Sequence, residues 1–202
     1  MVSTAVFHVI STEMVVGSFA IAAFGTITCA LASLVPVINK KMPSRLHSHL
    51  DSAAYVASIF GLLMVPLAIV TGYLTSESMG GQSGMSLNKM IFSGLCIGFW
   101  SGVISGRRLC GYRLWEHRGL AIVQGFSALA GFGTTVILGS IGGELGRGET
   151  ALDLLPFDLG IYTPPSIGIV PALVLFIFSA IALGSVIFLQ SRPHVSLKET
   201  PQ

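Results

Sequence analysis

The side chains able to do chemistry fall into two groups along the chain. One holds His47, His49, Asp51, Glu116 and His117; the other holds His8, Glu13, Met79, Met85, Glu144 and Glu149. In the first, a helix that starts at Ser44 behind Pro43 puts His47 and Asp51 on one face, with His49 offset toward the next. His117 opens a later helix at the same membrane depth. Two imidazoles from different helices can ligate a haem b or a metal, so His47 or His49 paired with His117 is the candidate cofactor site. The plainer reading is that histidines amid Lys and Arg, beside Tyr112 and Trp115, anchor helix ends at lipid headgroups.

In the second group Met79 and Met85 are copper ligands by type, but Gly80-Gly81-Gln82-Ser83-Gly84 between them reads as a turn. No Ser-His-Asp pattern, phosphate loop or HExxH spacing occurs, so no catalytic residue and no metal site is assigned. Cys29, Cys96 and Cys110 lack zinc-type spacing and read as small hydrophobes.

The elements that must position these groups follow from composition. Of 202 residues 52% are hydrophobic and 10% charged, where a soluble domain has about a quarter charged. The mean hydropathy of +0.79 likewise excludes a disordered chain. A net charge of +2 with no basic run beyond a pair excludes nucleic acid as a partner. Lipids and other membrane subunits are the partners expected, in a cell or energy-transducing membrane.

A span needs about 20 apolar residues, and five such runs occur, near Met14–Ile38, Ser52–Leu74, Leu87–Gly106, Arg118–Ile141 and Ser166–Gln190. The sequence therefore predicts an all-α bundle of five transmembrane helices, in which residues 1–145 form a four-helix core. Residues 146–165 make an outer loop, and 166–202 a fifth helix with a tail. The first helix is expected to start at Thr12 as N-cap with Glu13 in its first turn, and to end by Pro36. Pro66 is expected to kink the second.

Lys40, Lys41, Arg45, Arg107, Arg108, Arg113, Arg118, Arg192 and Lys198 fall on one side, leaving Lys89 and Arg147 on the other. Basic residues resist translocation, so the N-terminus is expected outside and the C-terminus in the cytoplasm.

Within lipid, helices approach through small residues. Gly94, Gly98, Gly102 and Gly106 recur every four residues on the third helix and are the expected helix-packing face. Ser18, Ala22, Thr26 and Ala30 form a similar stripe on the first helix, as do Ser127, Gly131, Thr135 and Gly139 on the fourth.

Phe7-His8, Ala53-Ala54-Tyr55, Gly61, Thr71-Gly72 and Ile141-Gly142-Gly143-Glu144-Leu145 together resemble an uncharacterised family of small multi-pass membrane proteins with a GGEL-type signature after a fourth helix. The resemblance covers about two thirds of the chain and implies a four-helix unit. In that family the signature continues with tyrosine, arginine, histidine and glycine, whereas Gly146-Arg147-Gly148 follows here. Some relatives are suspected of binding haem through histidines this chain lacks.

Coupled transport needs an ionisable group near the midplane, and the central parts of the spans carry none. The expected function is a non-catalytic accessory subunit of a larger membrane-bound oxidoreductase or energy-conversion complex. The alternative is a b-type haem or other redox-cofactor protein using His47, His49 and His117.

Overall fold

A computed structural model of the chain describes residues 4–75 and 84–150, with isolated positions between 154 and 184. The described elements are all helical: α1 Thr4–Leu34, α2 Pro36–Lys41, α3 Ser44–Thr75, α4 Gly84–Cys110, a short 3-10 helix Gly111–Glu116, and α5 Arg118–Arg147. Four of the helices are long and apolar enough to cross a membrane, which makes this a multi-pass membrane protein. The expected fifth span, 166–190, lies outside the described residues except for Val170, Leu173, Val174, Ile177, Ile181 and Gly184, which are helical and exposed.

The helices extend further than hydropathy marks. Helix α1 begins by Thr4, so Thr12 is not an N-cap. Its hydroxyl instead donates to the carbonyls of His8 at 2.9 Å and Val9 at 2.8 Å, the back-bonding open to Thr inside a helix. Pro36 opens α2 at its first turn, where its missing N–H costs nothing. Helix α3 runs unbroken through Pro66, and α5 takes in Gly142–Arg147, residues that hydropathy assigns to the end of the core and the loop. It stops at Gly148, whose φ of 70° lets its N–H reach the Glu144 carbonyl.

Helix α1 packs on α3 and α5, and α4 packs on α5 and α3, closing a ring. Near mid-height Phe19 and Trp100 cross the axis as stacked rings, 4.4 Å between centroids and 5° between planes. Glycines on the other two helices make room for them. A Cβ at Gly61 would lie 2.6 Å from Phe19, and one at Gly131 would lie 3.1 Å from the Trp100 indole. Close backbone approach occurs where Gly25 faces Ala54 and Leu50, and where Gly125 faces Ala30.

These contacts place the small-residue faces differently from the period-four pattern of α4. Gly94 is buried, and a Cβ at Gly106 would meet Gln124 at 2.5 Å. Gly98 and Gly102 are exposed, with no described atom within 4 Å of a Cβ built there. Ala22, Thr26 and Ala30 of α1 are buried as a stripe.

Candidate functional site

The bundle has two polar ends. At the first, α3 turns Asp51 inward, and it is 3% exposed. Arg107, in the last turn of α4, grips it with Nε at 3.0 and 2.7 Å from the two oxygens and Nη2 at 2.7 Å. The chain then reverses at Gly111, whose φ of 61° is open to glycine. The 3-10 helix folds beneath the bundle and buries Leu114 and Trp115. Trp115 Nε1 donates to Asp51 Oδ1 at 2.8 Å, so three segments meet on one carboxylate. The Arg107 guanidinium also lies 5.9 Å from the centre of the Tyr55 ring.

His47 belongs to this end, one turn before Asp51. Its Nδ1 is 2.7 Å from the Tyr112 hydroxyl, and its ring stands edge-on to Tyr112 and Trp115 at 5.4 and 5.8 Å. Its carbonyl accepts a weak bond from Cys29 Sγ at 3.6 Å. His49 lies about 200° further round the same helix and is exposed, as is His117, which is the N-cap residue of α5. Neither ring has a hydrogen-bonding or ring partner among the described residues.

The structure thus sets His47 against Tyr112 and Trp115 and leaves His49 and His117 exposed. The Tyr112 phenol is bonded to Nδ1 of His47, and the edges of Tyr112 and Trp115 flank its ring. Among the described residues no three His, Cys, Asp or Glu side chains gather as a metal would need.

At the opposite end, residues far apart in the chain converge. The His8 ring lies against Gly72, where a Cβ would be 2.8 Å from Cε1. Its Nδ1 is 3.3 Å from Thr71 Oγ1. The Thr71 hydroxyl donates to the Leu67 carbonyl at 2.7 Å. Ser11 is 3.2 Å from the same hydroxyl and donates to the His8 carbonyl. His8, packed on Thr71 and Gly72, thus lies at the same end as Gly142 and Gly143.

Beside them is a cavity of about 590 Å³ walled by α1, α3, α4 and α5, within the range of small-molecule sites. Its walls are mostly apolar, with His8, Thr12, Glu13, Lys89, Ser93 and Thr135 as polar points. Gly17 and Gly139 line it and have open space where a Cβ would be. The sequence does not show this site because Lys89, at the start of the expected third span, counts there only as a basic residue of the outer side, and Gly139 reads as part of a packing stripe. The one available signal was a lysine at the head of an apolar run, Lys89-Met90-Ile91-Phe92.

Compared with known proteins, the chain matches no family profile, no curated protein and no solved structure.

Proposed function

We propose that the chain is a non-catalytic subunit of a larger membrane-bound assembly, such as an oxidoreductase or energy-conversion complex, and that it docks through the Gly98–Gly102 face of α4. In this reading it spans the membrane five times, with the N-terminus outside and the C-terminus in the cytoplasm. The Asp51 end, which holds most of the basic residues, then faces the cytoplasm.

The observation that carries the reading is that no described residue covers Gly98 and Gly102, which lie on a long apolar helix between exposed Leu95 and Leu109. Against lipid a bare backbone forfeits dispersion contacts, while against another helix it permits close approach. Two further features suit a scaffold. The Asp51 cluster is closed upon itself, its carboxylate already held by Arg107 and Trp115. The axis at mid-height is filled by Phe19 and Trp100, both 0% exposed.

The test is native-gel migration from membranes solubilised in mild detergent. The wild-type chain should run well above its monomer mass, and Gly98→Leu should run as a lone species with unchanged thermal stability. A wild-type monomer would refute the proposal. So would a photocrosslinker at position 98 that reacts only within the chain's own 166–190 segment.

A further inference from the structure

We infer that the cavity at the His8 end binds an amphipathic monoanion, its carboxylate or phosphate head on Lys89 and its apolar body between α1, α3 and α5. Lys89 stands on the second turn of α4 and is partly buried. No ion pair with a carboxylate is found for its ammonium among the described residues. The position of a Cβ on Gly142 is 3.6 Å from Nζ, so the ammonium rests against the backbone of α5. An ammonium partly withdrawn from water without a counter-charge is costly, and an anionic head beside it removes that cost.

The neighbouring hydroxyls are already committed as donors. Ser93 donates to the Lys89 carbonyl at 2.8 Å, and Thr12 donates to the His8 and Val9 carbonyls. Lys89 is therefore the strong donor left on this wall. Glu13 is exposed and lines the same cavity, a placement that favours a single negative charge over a dianion. Below the polar points Val15, Val65, Ile69 and Leu138 provide an apolar wall. Gly17 and Gly139 leave width for a hydrocarbon chain rather than filling it.

The inference stands apart from the docking of α4, because Gly98 and Gly102 do not line this cavity. It is tested by native mass spectrometry and thermal melting of the full chain, delipidated in a neutral detergent. The probes are oleate, phosphatidylglycerol, monoolein and inorganic phosphate. Oleate or phosphatidylglycerol should bind and raise the melting temperature, the first pointing to a free carboxylate amphiphile and the second to a bilayer lipid. Lys89→Gln should weaken that binding about tenfold, the loss of one charge-assisted contact, while Lys40→Gln should not.

Gly139→Leu provides the second arm. Its side chain enters open space, so the variant should melt like wild type without ligand yet bind neither anion. Monoolein retained as well as oleate, inorganic phosphate binding as well as either lipid, or both variants binding normally would each overturn the inference.

Discussion

Removing the Asp51 carboxylate is the sharpest perturbation of the bundle end. The carboxylate accepts three close contacts from Arg107, at 3.0, 2.7 and 2.7 Å, and one from Trp115 at 2.8 Å. Truncating one partner of a buried pair costs about 3–5 kcal/mol, because the other charge is left unpaired. Two features place Asp51→Ala near the lower bound. Arg107 retains 23% exposure and can reach toward headgroups, and the membrane-inserted unfolded chain also finds polar partners. We expect about 3 kcal/mol for Asp51→Ala, roughly a hundredfold in the folding equilibrium.

Replacing both partners by apolar residues of similar bulk, Asp51→Leu with Arg107→Met, leaves no orphan charge. It should cost only about 1 kcal/mol, chiefly the stranded Trp115 N–H. Arg107→Met, which leaves the buried carboxylate unpaired, should cost at least as much as the Asp51 change, so the two single changes and the double change form a cycle whose coupling should be about 5 kcal/mol. It is measured by denaturant titration in mixed micelles, followed by far-ultraviolet circular dichroism. Single effects that add, with coupling below about 0.5 kcal/mol, would refute the reasoning and make the pair an incidental surface contact.

Other perturbations probe different parts of the molecule. Gly61→Ala puts a methyl 2.6 Å from Phe19 and should cost about 1–3 kcal/mol by overpacking; an unchanged melting temperature would show that the rings do not fill the axis. Trp100 Nε1 is buried without a partner, so Trp100→Phe should cost clearly less than Trp100→Ala, for which about 3–5 kcal/mol is expected. Equal losses would mean the stack with Phe19 is not the stabilising contact. Of the three cysteines Cys110 alone is partly exposed, so a maleimide should modify it first. In sealed vesicles of native orientation an impermeant reagent should reach it only after permeabilisation, and immediate labelling would reverse the proposed topology. Hemin titration should give no Soret shift that His47→Ala or His117→Ala abolishes, and a shift so abolished would favour the haem reading over the accessory-subunit one.

Composition and hydropathy made several features legible before any coordinates. The membrane class, the four described spans, the start of α3 at Ser44 and the one-face placement of His47 and Asp51 all follow from local rules of length, period and capping. A helix carries its own periodicity, so these rules need no knowledge of the neighbours. Small residues were readable as contact surfaces in kind but not in address. Gly98 and Gly102 share the spacing of a packing stripe yet face outward, while Gly25, Gly61, Gly125 and Gly131 meet the neighbouring helices.

Only tertiary structure decided which distant polar groups would meet. Asp51 and Arg107 are 56 residues apart, and His8 and Thr71 are 63 apart. Their pairing depends on how α1, α3, α4 and α5 are arranged around the axis, and the Phe19–Trp100 stack helps to set that order. Lys89 acquires its meaning the same way, since a lysine becomes a binding group only when its neighbours leave it partly buried, unpaired and beside a space. Helix formation is settled by the residues within a turn or two, but a pocket is what several helices fail to fill, and a linear sequence does not record that geometry.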